Sequence, residues 1–356
     1  MPWHRYLTCG DPLDRRAFLR LAGAGGLGLA GMRWLPAPAF ATVDPAAVTR
    51  MEIAVIYRTE VYNLPGDTRE LHLWLPLPPD DARQEVHDLE VRTPLAYTIE
   101  RDPLFGNRMV HVASGREPET FAVEGRYRVV RHRLGPQQAH LDAAAAQKYL
   151  RLTGRLRVTD EIEGFTRRCV GAATAPSEVA RRVYDGLIDY LTYDKEIPGC
   201  GTGDTEWVMR HRRGKCDDYH ALLAAILRSR GIPVRWEQGF PLPYPAGGAM
   251  ASGQLSGDCS GAHCWISFFD PDRGWVPVDM SEGDKHPELH DFFFGHLTPN
   301  RFQVSEGRSL TLAPPQGGGP LPTFAYAYVE ADGIPLIYKA NYDNLVQYQV
   351  TRVETA

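Results

Sequence analysis

The chain is 356 residues long and 43% hydrophobic, with 39 Lys and Arg against 44 Asp and Glu, a formal net charge of −5. Both signs of charge are mixed along its length, which excludes the basic face expected of a nucleic-acid binder, and the length suffices for one large or two ordinary domains. Beyond the first 41 residues no apolar run approaches the width of a bilayer.

The start of the chain reads as an address. Arg15 and Arg16 precede Phe18 and Leu19, and a weakly apolar, Gly- and Ala-rich run then ends in Ala39, Phe40 and Ala41. This is the pattern of a twin-arginine export signal with an A-x-A cleavage site, so residues 1–41 are expected to leave as a signal peptide and Thr42 to begin the mature chain. The competing reading is an uncleaved anchor, but glycines and Arg33 interrupt the run. The mature protein is therefore expected to be periplasmic or secreted, with no stable membrane span.

From Met51 to about Leu134 short alternating runs, among them MEIAVIYRTEVY, ELHLWLPLP, MVHVAS and TFAVEGRYRVVRHRL, are separated by Pro, Gly and Asp. A period of two predicts an antiparallel β-sandwich, assigned to residues 42–135. The character then turns helical. In PSEVARRVYDGLIDYL, Ser177 is the expected N-cap, and Val179, Val183, Leu187 and Leu191 share one face. A second helix follows Gly214, with apolar positions at Tyr219, Leu222, Leu223, Ile226 and Leu227 and a stop at Gly231 and Pro233. VRWEQGF, AHCWISFFD and GWVPVDM read as strands, and DGIPLIY and LVQYQVTRV as two more near the end. Residues 136–356 are expected to form a catalytic domain of helices packed on an antiparallel sheet, so the fold class is α+β.

Cys216 falls in the first turn of that second helix. Unpaired N–H groups and the positive end of the helix dipole favour a thiolate there. The alternative is a small buried hydrophobe. A nucleophilic thiolate needs an imidazole and a group to orient it, and both are found downstream. His263 opens the strand HCWISFF, Asp279 ends the next, and a turn over Asp270 to Gly274 would set the two strands side by side. Singly, His263 is also compatible with a satisfied core histidine and Asp279 with a turn residue. Together with Cys216 they form a Cys-His-Asp triad in an order and on elements suited to catalysis.

At GKCDDYHALLAAILRSRGIPVR, HCW and GWVPVD the chain resembles the bacterial transglutaminase-like superfamily, which shares its core with papain-like cysteine proteases. The likeness continues through SEGDKHPELHDFFFGHLTPNR and SEGRSLTLAPP, roughly Pro176 to Asp332, and the β-rich part looks like the N-terminal domain often found in bacterial members. The resemblance implies Cys216 as nucleophile, His263 as general base and Asp279 as orienting carboxylate. It also aligns Tyr193, in YLTYDK, with a tryptophan of the animal enzymes that supplies an oxyanion donor; a packing aromatic is the alternative, and Trp207 is the weaker candidate. The calcium-dependent modules of animal transglutaminases have no counterpart here, so crosslinking is not implied. The expected function is an exported acyl-transfer enzyme acting on amide bonds of peptides or proteins through a thioester, by hydrolysis rather than transamidation, without cofactor or metal. The alternative is a non-catalytic periplasmic binding or assembly module on the same fold.

Other signals are weaker. His220 lies one turn after Cys216 and offers a second imidazole. His286 and His290 have a metal-compatible spacing, with His296 beyond, but match no metalloprotease pattern. Asp217 and Asp218 read as first-turn acids, and Arg235 as a structural residue beside a carboxylate. The Gly- and Pro-rich run from Pro241 to Gly261 is long for a loop. Of the mature cysteines, Cys200 and Cys259 sit in Gly-rich loops and are expected to pair, leaving Cys169 and Cys264 as packed thiols, with Cys264 on the face of its strand opposite His263.

Overall fold

The computed structural model describes residues 45–116, 118–242 and 256–356. The twin-arginine pattern, its cleavage site and most of the 241–261 run lie outside these residues.

Alternation in the first part produces β1 (Val48–Val61), β2 (Leu71–Leu77), β3 (Gln84–Arg92), β4 (Tyr97–Arg101), β5 (Arg108–Ser114) and β6 (Phe121–His132). In β1 every second side chain from Met51 to Val61 is buried, as a strand with one face on a core requires. Three helices follow, α1 (Ala143–Leu150), α2 (Asp160–Val170) and α3 (Pro176–Tyr190). The cap of α3 differs from expectation. Ser177 does not cap it; Pro176 occupies the first turn after Ala175, where its missing N–H and fixed φ are tolerated. The N–H and hydroxyl of Ser177 instead donate to Asp270, the turn residue of the strand pair below.

The chain continues through β7 (Thr192–Tyr193), α4 (Thr205–His211), β8 (Arg213–Gly214) and α5 (Cys216–Ser229), then β9 (Val234–Pro241), β10 (Ser256–Asp258), β11 (His263–Asp270), β12 (Gly274–Val278), α6 (Met280–Lys285) and β13 (Arg301–Glu306). It closes with β14 (Tyr328–Ala331), β15 (Ile334–Pro335) and β16 (Tyr342–Thr355). Helix α5 is buried from Asp218 through Arg228, so it forms the centre of the helical layer rather than an amphipathic cover. It packs on the helical face of a four-stranded sheet ordered β12-β11-β9-β13.

Two five-stranded sheets, β10-β16-β1-β6-β3 and β15-β14-β2-β5-β4, enclose a shared core that includes Val55, Tyr57, Leu73, Val112 and Val129. Four of the later strands thus complete the sandwich: β16 runs antiparallel to β1 from Val48↔Thr355 to Val61↔Tyr342, β14 pairs with β2, β15 pairs with β14, and β10 pairs with β16. Alternation reveals which face of a strand is buried but not which strand lies beside it, so a boundary drawn at residue 135 does not anticipate this return.

Candidate active site

The site is built at the start of α5. Lys215 precedes the helix in an extended conformation, and its N–H donates to the carboxylate of Asp218 at 3.0 Å. Asp218 is fully buried and also accepts the N–H groups of Gly201 and Gly203 at 2.5 and 3.1 Å. It is therefore more than a first-turn acid: it draws the 199–203 loop across the helix start. Gly214 is required beside it, since a Cβ there would stand 2.5 Å from the Asp218 Cβ. The visible signal was the glycine run at 199, 201 and 203, all three with positive φ.

Cys216 is nearly buried in the first turn. The register Asp270↔Gly274 through Ile266↔Val278 sets β11 against β12 as anticipated, placing His263 at the head of one and Asp279 just past the end of the other. Asp279 caps α6: its Oδ1 accepts the N–H of Glu282 and the hydroxyl of Ser281, both at 3.1 Å. Its Oδ2 meets His263 Nε2 at 2.7 Å. With Nε2 so occupied, Nδ1 of His263 is the ring nitrogen left for Cys216, whose side chain helps raise the imidazole pKa. The structure therefore brings Cys216, His263 and Asp279 together.

Charge is distributed unevenly over the three. Burial opposes a charged His263, but the Asp279 carboxylate outweighs it and raises the imidazole pKa to about 9. Cys216 lies well below an ordinary thiol; the hydrogen bond from Cys264 lowers it most, burial opposes, and the hydrogen bond and charge of His263 lower it further. Asp279 is held well below the carboxylate range, against burial, by His263 and Arg301. The favoured arrangement is a thiolate–imidazolium pair beside a carboxylate.

Arg301 is a member that sequence reasoning missed. It is buried on β13, donates to Asp279 Oδ2, and lies 5.0 Å from the centroid of the Trp265 ring. No apolar period marks it, because β13 is buried on both faces despite its polar composition.

His220 is excluded as the base. Its Nε2 accepts the N–H of Met280 at 3.0 Å, so its proton is on Nδ1, which donates to the Cys216 carbonyl at 2.9 Å. Burial lowers its pKa to about 4 and keeps it neutral. Tyr193 is brought close to Cys216 by the parallel pairing Tyr193↔Gly214. Its ring stands edge-on to Tyr219, with Lys285 Nζ 4.9 Å from its centroid, and burial followed by the charge of Cys216 raises its hydroxyl pKa. Trp207 stacks on His211 at 4.3 Å. Asp217 is pushed up to about 7 by burial and by Cys216, with Arg308 opposing from 3.8 Å.

The remaining expectations divide. Cys264 is buried on the face opposite Trp265, and that is the face carrying Cys216. The Cys200–Cys259 bridge does not form: all five described cysteines are free thiols. The segment before His263 is drawn into the sandwich by β10, which buries Cys259 in that core, while Cys200 stays half-exposed against the Lys195 carbonyl. His290 binds Asp185 at 2.8 Å and His286 lies between Glu282 and Glu288, so the two do not converge. Arg235 stacks over Trp275 at 4.2 Å, beside Glu306 and away from the triad.

Residues 163–280 match the family model of the transglutaminase-like superfamily, a span that contains Cys216, His263 and Asp279. The chain is 24% identical over 318 residues to an uncharacterized protein of Haemophilus influenzae, covering 78% of this chain and 86% of that one. It is 31% identical over 92 residues to a protein-glutamine gamma-glutamyltransferase of Pseudomonas aeruginosa, 25% of this chain and 13% of that protein. Among solved structures, a candidate cysteine protease from Cytophaga hutchinsonii superposes with a TM-score of 0.57 at 13% identity, covering 86% of this chain and 93% of that one. Residues 163–280 thus match a transglutaminase-like core, and the fold is α+β with an N-terminal β-rich region.

Proposed function

We propose that this protein is an exported cysteine-dependent acyl-transfer enzyme that opens amide bonds of peptides or proteins through a thioester on Cys216, with water as the acceptor. The observation that carries the reading is the buried grouping of a first-turn thiol, an imidazole whose charge lowers that thiol, and a carboxylate 2.7 Å from the imidazole Nε2. The match of residues 163–280 to the transglutaminase-like family model supports a cysteine-dependent acyl-transfer enzyme at that coarser level.

In this scheme Cys216 Sγ attacks the amide carbonyl carbon and the C–N bond breaks as His263 Nδ1 gives its proton to the leaving amine. The neutral ring then takes a proton from water, whose oxygen displaces the sulfur and releases the acid. Asp279 keeps Nε2 protonated and the ring in place throughout. The carbonyl oxygen gains negative charge in both steps, and the N–H of Cys216, with no carbonyl a turn earlier, is a donor for it. The Tyr193 hydroxyl is proposed as the second.

A cavity of about 270 Å³, lined by none of Cys216, His263 and Asp279 but adjoining them through Arg308, is proposed to take an apolar side chain of a peptide substrate. Its wall includes Leu321, Ala325, Tyr326 and Leu336, and it ends at Thr202 and Arg308. Tyr326 ties it to the segment before His263 by accepting the Ala262 N–H at 2.8 Å, and Arg308 ties it to Asp217. Export rests on the twin-arginine pattern; among the described residues no helix is long and apolar enough to cross a membrane.

The test is intact mass spectrometry after incubation with peptide pools, with and without an added amine, comparing wild type with Cys216→Ala. Peptides split or deamidated only by wild type would bear out hydrolysis. Incorporation of the amine would establish transfer instead. Peptide masses unchanged by the wild-type protein would favour a binding module.

A further inference from the structure

Three donor atoms beside the triad form a group of their own. Cys216 Sγ, Cys264 Sγ and a carboxylate oxygen of Asp217 all lie within 4.8 Å of one another. The proposed reaction uses the first as its nucleophile and the second only as a hydrogen-bond donor to it. The grouping follows from the fold, because Cys264 points to the helical face of β11, where the first turn of α5 rests, and Asp217 is the next residue on that turn.

Neither sulfur is committed to a disulfide. The two oxygens of Asp217 are already sorted: Oδ1 faces Arg308 Nη1 at 3.8 Å, and Oδ2 faces Cys216 Sγ at 3.8 Å. Zinc takes thiolate sulfur at about 2.3 Å and carboxylate oxygen at about 2.0–2.2 Å, so donors around a tetrahedral ion stand about 3.3–3.8 Å apart. The Cys216 Sγ–Asp217 Oδ2 pair stands at 3.8 Å and all three donors lie within 4.8 Å, the range from which such a site closes. Two sulfurs select a soft divalent cation over magnesium or calcium, which favour oxygen. Both sulfurs are buried, whereas Asp217 is half-buried and offers the way in.

We propose that Cys216, Cys264 and Asp217 form a binding site for a soft divalent cation of the zinc class, which closes the enzyme reversibly by taking Cys216 Sγ as a ligand. Binding forms two metal–sulfur bonds and one metal–oxygen bond and leaves the fourth position to water. Cys264 loses its proton to solvent, and no electrons move: the metal stays divalent and both sulfurs stay reduced. The site stands on geometry alone; only the closure rests on the acyl-transfer reading.

The experiment uses the reduced full chain, with Co²⁺ as a spectroscopic probe and Zn²⁺ as competitor. The expected result is one Co²⁺ per chain with a sulfur-to-cobalt charge-transfer band of two-thiolate intensity, abolished by Zn²⁺. Cys264→Ser should halve that band and weaken Zn²⁺ binding by at least about 100-fold, and Asp217→Asn should weaken it by about 10-fold. Zn²⁺ should block turnover and a chelator should restore it. A one-thiolate band in wild type, or equal Zn²⁺ affinity in wild type and both variants, would overturn the site. The spectrum needs no turnover, so a two-thiolate band in a chain that hydrolyses nothing would sustain the site and sink the acyl-transfer reading.

Discussion

Two buried clusters of charge sit on the same central sheet, and they settle their protons in opposite ways. At the junction with the sandwich, Arg83 donates to Glu237 on β9, to Glu306 on β13 at 3.2 Å and to its neighbour Asp81. Glu237 also accepts Trp265 Nε1–H, and Glu306 accepts the Tyr149 hydroxyl at 2.9 Å. Burial opposes the Arg83 charge, but these acids raise its pKa well above the usual value. The cations here are guanidiniums, which do not release protons in proteins. At the triad the cation is an imidazolium with a pKa of about 9, and its proton is shared with a thiol pressed well below its usual range. A guanidinium fixes charge and joins domains; an imidazole paired with a thiol leaves one proton free to move.

Removing that mobile proton's acceptor should have the largest effect. Cys216→Ala is expected to abolish turnover with no loss of fold, since a small first-turn side chain contributes little packing; steady-state assay and thermal unfolding check the two halves. Turnover retained by a folded Cys216→Ala protein would dissolve the contrast between the clusters.

Asp279→Asn comes next and tests what holds the imidazolium. His263→Ala should cost about 10³–10⁴-fold in turnover and Asp279→Asn less, about 10²-fold. Arg301 adds a consequence: with Asp279 neutral, a buried guanidinium loses its acid, and the variant should also lose about 3 kcal/mol or more of stability, read by denaturant unfolding. The pH profile gives the sign. The active pair needs a protonated His263, so the alkaline limb of kcat/KM should fall near pH 9 in wild type and shift towards the ordinary imidazole value in Asp279→Asn. Because the folded-state pKa of His263 is raised, the stability it contributes is complete below about pH 6.5 and lost as pH rises through about 9. An alkaline limb that stays fixed would remove Asp279 from this role.

The contrast also explains what the sequence disclosed. The meeting of Cys216, His263 and Asp279 was legible because they occupy positions that local pattern defines: the first turn of a helix after Gly214, the head of one strand and the end of its hairpin partner. Arg301 was not, because β13 is buried at every position while reading as RFQVSE. Its polar side chains carry no apolar period, and the strand is held by partners about two hundred residues away: the backbone N–H groups of Gln303 and Glu306 donate to the side-chain oxygens of Gln84 and Asn107. The same non-local pairing hid the return of β14 and β16 to the sandwich and placed Cys259 in its core instead of in a loop paired with Cys200. Asp218 lay in plain view as a first-turn acid, yet its work is done for glycines of a preceding loop.

Tyr193→Phe should have a smaller effect, about 10-fold or more on kcat with KM little changed, because the hydroxyl is proposed to meet the oxygen only as charge develops on it. The ring keeps its edge-on contact with Tyr219, so stability should hold. An unchanged kcat would return Tyr193 to a packing role.

The smallest expected change in turnover is none, for Glu237→Gln in the junction cluster. The substitution keeps an acceptor for Trp265 Nε1–H, and Arg83 retains Asp81 and Glu306, so the guanidinium is not stranded. Stability should fall by about 1–3 kcal/mol, the cost of replacing one buried charge-assisted bond by a neutral one. Turnover and the alkaline limb should match wild type, because no proton of this cluster moves in the proposed reaction. The physical route by which this could fail is specific. Trp265 touches both clusters, accepting Arg301 on its ring at 5.0 Å while bonding Glu237 through its nitrogen. A ring released from Glu237 would shift Arg301 and, through it, the carboxylate that holds His263. A fall in kcat of about 10-fold or more in a folded Glu237→Gln protein, with a displaced alkaline limb, would therefore show that the two clusters are one network joined through Trp265.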